Sequence, residues 1–232
     1  MTTLEEIKHA LEGFNLDGWW EVHHWLGKLI DSRTLTTGVR EPRAEYEPNP
    51  PLMTFEEYLE FIEHSPLRYE YVNGVVHAMS PGTVAHARVG ARLFTAVQAH
   101  LRGGPCEAFL PIAGLQIRSD TDEINYIPDF MVACNPEISD GKWICNPKLL
   151  GEVISPSTRH IDTREKATNY RRVPSVDEIL LLEQAQPKIT IFRRAEKWRP
   201  QIYCGTEAAL ELRSISLAVP LAQIYAGITA AS

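Results

Sequence analysis

The chain has 232 residues, of which 44% are hydrophobic and 23% charged, and a formal charge of -7. That length supports one sizeable core plus an appendage, and that charge excludes avid, nonspecific nucleic-acid binding, although not a local basic face or a metal bridge. The longest aliphatic run, Ile179 to Leu182, falls far short of the ~20 apolar residues that a membrane helix needs, so no membrane partner is expected.

The first residues, MTTLEEIKHALEGF, mix acids into apolar positions and lack a basic stretch followed by an apolar one. They do not read as a secretory signal, and a cytoplasmic location is expected. Residues 1–50 read as a helical appendage and linker: a short amphipathic helix near Leu4 to Leu11, a segment with Trp19, Trp20 and Trp25, and the proline-bearing GVREPRAEYEPNPP. Exposed tryptophans are costly, so these three are expected to dock on the main domain or on a second subunit, which makes a homodimer the expected assembly. His23 and His24 are adjacent, and on a helix they point about 100° apart, which does not favour chelation.

The main domain is expected over 51–232. It opens with TFEEYLEFIEH, where Thr54 and Glu57 form a T-x-x-E capping box. RYEYVNGVVHAM follows, two alternating segments around Asn73-Gly74 that predict a hairpin with Glu70 in its first strand. From Thr83 to about Leu101 a stripe of Val89, Leu93, Val97 and Leu101 predicts a long helix that also carries His86. Strands are predicted at AGLQIRS, NYIPDFMVAC and LLGEVIS, then a helix at DTREKATNYRRV, then strands at DEILLLEQ, KITIFRRA, RPQIYC and ALELRSI. The order implies an α+β or α/β fold, a mixed β-sheet flanked by helices. Cys106, Cys134, Cys145 and Cys204 lack the C-x-x-C spacing of metal sites and are expected to be reduced, small buried apolar residues.

Two acids interrupt apolar runs: Asp129 after Pro128, and Glu152 between Gly151 and Val153. A lone buried carboxylate is expensive, and two together are explained by a shared hard cation, Mg2+ or Mn2+. Pro128 belongs at a strand start, edge or bulge, and Ser155-Pro156 ends the strand of Glu152, so both acids can meet at one rim of the sheet. Asp162 and Glu165 read as a D-x-x-E capping box that makes Lys166 the fourth helical residue, with Tyr170 one turn on. Such a trio suits phosphodiester hydrolysis. On spacing alone a structural reading stands beside it, in which Asp129 caps a turn, Glu152 pairs with an arginine such as Arg172, and Lys166 is solvated.

The stretches RYEYVNGVVHAMSPGTVAHARV, IPDFMV, LLGEVISPSTRHIDTREKATNYRRVPSVDEILLLE and ITIFRR resemble, in order and spacing, the Uma-two family of restriction-endonuclease-like proteins, over roughly Leu52 to Tyr225. The resemblance implies the fold of the PD-(D/E)xK nuclease superfamily, with a Mg2+-dependent site at the rim of the sheet. It implies metal-binding roles for Asp129 and Glu152 and a place for Glu70 in the site. The superfamily lysine would stand where Ile154 is, and Lys166 occupies the place of its substitute. The resulting expectation is a nuclease cutting DNA. Asp129, Glu152 and the Val153 carbonyl hold metal, Lys166 positions water, Tyr170 and His86 support, and Arg159, Arg164 and Arg171 face phosphates. An inactive fold that binds nucleic acid or protein, and an enzyme acting on RNA or on a small phosphorylated substrate, are the alternatives.

Overall fold

The structure is a computed structural model that describes residues 52–79, 82–111, 113–120, 122–155, 159 and 161–228. The expected appendage over 1–50, with its tryptophans and histidines, lies outside the described residues, as do 156–158 and 160 in the loop after Ser155.

Helix α1 (Phe55–His64) begins as its capping box dictates: Thr54 Oγ1 accepts the Glu57 amide at 3.2 Å, and Glu57 Oε2 accepts the Thr54 amide at 2.7 Å. Strands β1 (Tyr69–Val72) and β2 (Val75–Ala78) turn at Asn73 and Gly74, whose φ angles of 48° and 95° supply the left-handed pair that a type I′ turn needs. Helix α2 (Val84–Leu101), capped by Thr83, buries Val89, Leu93 and Val97. Next come β3 (Cys106–Phe109), β4 (Gly114–Arg118), β5 (Glu123–Tyr126) and β6 (Phe130–Cys134). Short β7 (Ile138–Ser139) and β8 (Trp143–Ile144) precede β9 (Pro147–Ile154). A π-helical turn, Ile161–Lys166, runs into α3 (Ala167–Arg172). Strands β10 (Glu178–Glu183), β11 (Lys188–Arg193), β12 (Pro200–Cys204), β13 (Ala209–Leu212) and β14 (Leu217–Pro220) follow, then α4 (Leu221–Ile224).

Among the described residues the strands form two six-stranded sheets, β2-β1-β5-β4-β8-β7 and β12-β11-β10-β9-β6-β3, and a β13-β14 ribbon. Both large sheets are mixed, with one parallel pair each, β4-β8 and β9-β10. The fold is therefore α+β, as the element order implied.

Side-chain alternation divides the interior. On β9, Leu149 and Val153 face α2 and pack with Val89, Leu93 and Phe130. Leu150 faces the other way, into a layer between the two sheets that holds Leu115, Tyr126, Tyr170 and Ile179. Beyond the first sheet, Phe55 and Tyr58 of α1 cover Tyr71 and Trp143.

Four sequence expectations are corrected. NYIPDFMVAC is two strands in different sheets, because Pro128 cannot donate to a ladder and the chain crosses from β5 to β6 at Ile127–Asp129. The α-helix starts only at Ala167, so Lys166 stands in the π-turn before it rather than one turn inside. Arg172 pairs with Asp122, not with Glu152. Cys106 and Cys134 are joined as a disulfide, because they lie opposite each other in the β3-β6 register; Cys145 is half-buried and Cys204 exposed, so none is a small buried thiol.

Candidate active site

The sheet topology brings the start of β6 to the end of β9. These strands are antiparallel, and Phe130 pairs with Gly151, which sets Asp129 beside Glu152 and Val153. Where the pairing stops, the side chain takes over from the main chain: Asp129 Oδ2 accepts the Val153 amide at 2.8 Å. Glu70 does the same at the end of β5, where its Oε1 accepts the Ile127 amide at 2.9 Å. Each acid satisfies a backbone donor that the ending ladder leaves over. The two fixed amides bracket the β5–β6 crossing, so the crossing positions both acids.

Glu152 shares the face of Leu150 and so enters the layer between the sheets, where it is only 3% exposed. Its Oε1 accepts from the Tyr170 hydroxyl at 2.5 Å and from Lys166 Nζ at 3.3 Å. Lys166 Nζ also donates to Glu70 Oε1 at 2.8 Å, lies 3.7 Å from Asp162 Oδ1, and sits 5.5 Å above the Tyr126 ring. On the more open side, His86 Nε2 is 3.0 Å from Asp129 Oδ2. The sequence residues Glu70, Asp129, Glu152, Lys166, Tyr170 and His86 are thus brought together, and Val153 joins them through its amide.

The field is strongly uneven. Burial pushes the Glu152 carboxyl well up, Lys166 opposes this, and Asp129, Asp162 and Glu70 push it further. Burial alone would lower the Lys166 ammonium, but Glu152, Glu70 and Asp162 more than reverse it, and the group lies above its ordinary value. Lys166 therefore stays charged at neutral pH and serves as a donor, not as a base. The hydrogen bond to Asp129 raises His86 despite its partial burial. Tyr170 is raised well above its ordinary value, first by burial and then by Glu152, so its hydroxyl keeps its proton and donates.

Two members were not singled out as site residues from the sequence. Asp162 is buried inside the π-turn at 4% exposure, one turn from Lys166, although its position read as a helix cap. Tyr126 lies under the ammonium and donates from its hydroxyl to Glu165 at 2.9 Å; it was hidden as an apolar strand residue, and only its alternation with Asn125 marks the face it occupies. A π-turn at a functional position is a recurrent association, yet its sequence leaves no periodic signal.

The three arginines are spread apart. Arg159 makes a paired contact with Glu183 at 2.9 and 2.6 Å, Arg164 is exposed on the π-turn, and Arg171 stacks on Phe192 at 4.9 Å.

The donor set fits a hard divalent cation in kind: its candidate ligating atoms are the oxygens of four acids, set among the described residues beside one ammonium and one imidazole. Among the described residues no three His, Cys, Asp or Glu side chains are gathered on one point. Glu70, Glu152 and Asp162 instead turn toward Lys166.

Comparison with known proteins bears on the fold and the family. The fold is similar to a structure titled a "putative nuclease belonging to DUF820" from Anabaena variabilis, with a TM-score of 0.58 and 14% identity, over 73% of this chain and 96% of that one. At that identity the likeness speaks for the fold. Uncharacterized protein slr1290 of Synechocystis sp. is 31% identical over 77% of this chain and 94% of its own length. Uncharacterized protein sll1609 of the same organism is 24% identical over 69% of this chain and 92% of its own length. Residues 55–223 match the model of the Uma2 family, described as "Putative restriction endonuclease", and the chain belongs to that family.

Proposed function

We propose that the protein is a metal-dependent endonuclease that hydrolyses DNA phosphodiester bonds. The observation that carries this reading is the gathering of acids at the sheet rim: Glu70, Glu152 and Asp162 surround one buried lysine, and Asp129 stands beside Glu152 with His86.

Asp129 and Glu152 would hold Mg2+ or Mn2+, with the Val153 carbonyl and Glu70 as further oxygen donors. When bound, the cation supplies Lewis acidity, which polarises the phosphate and acidifies a water. The protein's own residues do the rest. Tyr170 and the Val153 amide hold Glu152 and Asp129 in place through the 2.5 and 2.8 Å bonds. Lys166 would orient the attacking water and offset charge growing on the phosphoryl oxygens; as water attacks phosphorus in line its proton passes to solvent, the bond to the leaving oxygen breaks, and that oxygen takes a proton from solvent. His86 keeps Asp129 oriented from the open side. Arg159 and Arg164, on the loop and turn that lead to Lys166, would meet neighbouring phosphates, Arg159 by exchanging Glu183 for one.

A second reading has its own support. Lys166, held by Glu70 and Glu152, already compensates part of the buried charge, as it would in an inactive fold that binds nucleic acid.

Calorimetric titration of Mn2+ into wild type and Asp129→Asn, followed by plasmid cleavage with Mg2+, separates the two. The nuclease reading expects saturable Mn2+ binding that Asp129→Asn abolishes, and cleavage that Lys166→Ala abolishes while Mn2+ still binds. DNA binding without Mn2+ binding or cleavage would support the inactive fold.

A further inference from the structure

A lysine ammonium carries three N–H groups, and the structure sets three acids around that of Lys166. Its Nζ is 2.8 Å from Glu70 Oε1, 3.3 Å from Glu152 Oε1 and 3.7 Å from Asp162 Oδ1. The residue is 5% exposed, and the Tyr126 ring closes a further side at 5.5 Å. An ammonium buried this deeply needs an ionised partner in every state of the site, because losing one leaves an uncompensated charge inside the protein.

The three acids differ in what else holds them. Glu70, on β1, accepts the Ile127 amide at 2.9 Å, and Glu152, on β9, accepts the Tyr170 hydroxyl. Both therefore keep their places at the sheet rim whatever the lysine does. Asp162 comes from neither sheet. It stands four residues before Lys166 on the same π-turn, where residues that far apart are neighbours, and it is 4% exposed. The turn is tied to the residues on either side: Thr163 Oγ1 donates to the Arg159 carbonyl and Thr168 Oγ1 to the Arg164 carbonyl, each at 2.6 Å. Asp162 and Lys166 thus ride on one fastened piece of backbone, while Glu70 and Glu152 belong to the sheets that it covers.

We infer that Asp162 is the positioning residue that holds Lys166 when Glu70 and Glu152 turn to a divalent cation. The inference rests on the nuclease reading, in which those two glutamates serve the metal. A dication beside them takes up the negative charge that otherwise compensates the ammonium. Lys166 is then left with one acid of its own, and Asp162 keeps it aimed into the site while the N–H groups released by the glutamates turn to water and phosphate. In the structure Glu70 is the close partner and Asp162 the distant one. At 3.7 Å Asp162 stands beyond an ordinary hydrogen bond, so it contributes charge alone until the lysine swings toward it.

The test reads the ammonium itself, by nitrogen NMR of the full chain with isotope-labelled lysine side chains. Protons of exposed lysines exchange too fast to be seen near neutral pH, whereas a buried, bonded ammonium is protected; its signal is assigned by its loss in Lys166→Arg. Mg2+ serves as the diamagnetic probe, and calorimetry with Mn2+ checks that metal binds. In Asp162→Asn without metal the signal should persist, with exchange within about threefold of wild type, because Glu70 and Glu152 hold the ammonium. With saturating Mg2+ the exchange should quicken about tenfold in the variant while wild type stays protected. Asp162→Glu, which keeps the carboxylate, should restore the protection, and Asp162→Asn should weaken Mn2+ binding far less than Asp129→Asn does. A merely structural aspartate would act alike with and without metal.

Four outcomes overturn the inference and leave the nuclease reading standing: equal protection of variant and wild type with Mg2+, an equal effect without metal, loss of Mn2+ binding in Asp162→Asn, or failure of that variant to fold without metal. Absence of Mn2+ binding in wild type overturns the nuclease reading and this inference with it.

Discussion

Two buried carboxylates sit on the neighbouring parallel strands β9 and β10, Glu152 beside Leu181 and Glu178 beside Leu149, and they live in opposite surroundings. Glu178, 2% exposed, accepts Arg193 Nε at 2.8 Å, the Arg213 and Ser214 amides at 3.0 Å each, and the Ser214 hydroxyl at 2.5 Å. Arg193 spends its other donors on Gln201, the Tyr203 hydroxyl and the Glu211 carbonyl. Charge is balanced there. Around Glu152, among the described residues, three more acids share the field of one lysine. Burial of a carboxylate does not by itself mark a site; what sets Glu152 apart from Glu178 is the company of other acids.

The sharpest way to break this comparison is to remove the balanced acid. Glu178→Ala leaves the Arg193 guanidinium, whose side chain is 3% exposed, buried without its partner. The expected cost is about 3–5 kcal/mol, read by urea denaturation. A loss below about 1 kcal/mol would show that the cluster relaxes easily and that its balance is not structural.

The same class of change at Glu152 should have the opposite signature. Glu152→Gln should reduce cleavage about 10²–10³-fold while leaving stability equal or higher, because the buried charge it removes opposes folding. The pH dependence carries the sign. An acid whose folded value is raised binds its proton more tightly in the native state, so its contribution is fully present below the unfolded value of 4.5 and is lost as pH rises through the raised folded value. Metal-free wild type should therefore lose stability as pH climbs above 4.5, and Glu152→Gln should flatten that fall. A steep fall in the variant would assign the effect to other groups.

How far the sequence went follows from what each signal encodes. The hairpin at Asn73-Gly74, the cap at Thr54 and the stripe of α2 are local, and all three stand as read. Asp129 and Glu152 were legible because a charge in an apolar run is locally anomalous. Asp162 was misjudged, since the winding that buries it is a π-turn and the acids that share its lysine come from two distant strands. The Cys106–Cys134 pair was missed for a similar reason: cysteines separated by 28 residues become opposite only when β3 finds the edge of β6. The crossing at Pro128 was half read, as a break without the change of sheet that makes it place both Glu70 and Asp129.

Tyr170 tests how firmly Glu152 is held in its buried place. Its hydroxyl donates to Glu152 Oε1, and Tyr170→Phe keeps the ring while deleting that donor. Above the pH at which Glu152 ionises, the variant should lose about 1 kcal/mol and the carboxyl should move further up, detectable as a fall in metal-free stability that continues to higher pH than in wild type. Glu178 has no equivalent single support, since four separate donors share its two oxygens. Loss of Ser214 alone, by Ser214→Ala, should move the balanced cluster less.

The smallest effect belongs to His86, and it sharpens the contrast near neutrality. The Asp129 hydrogen bond raises the imidazole from 6.5, so the ion pair's stability is fully present below 6.5 and is lost as pH rises through the raised folded value. Its partners are only partly buried, at 22% and 14% side-chain exposure, so the step should be about half a kcal/mol. His86→Gln keeps a donor for Asp129 but cannot change charge, and should erase the step in metal-free protein. Mn2+ should shrink the same step in wild type, because Asp129 would then answer to a second cation. The Glu178–Arg193 cluster holds no group that ordinarily titrates near neutral pH, so a step that persists in His86→Gln must be assigned elsewhere. A step that disappears with the imidazole and shrinks with Mn2+ ties Asp129 to both cations, and makes the rim the part of the molecule whose charge is free to change.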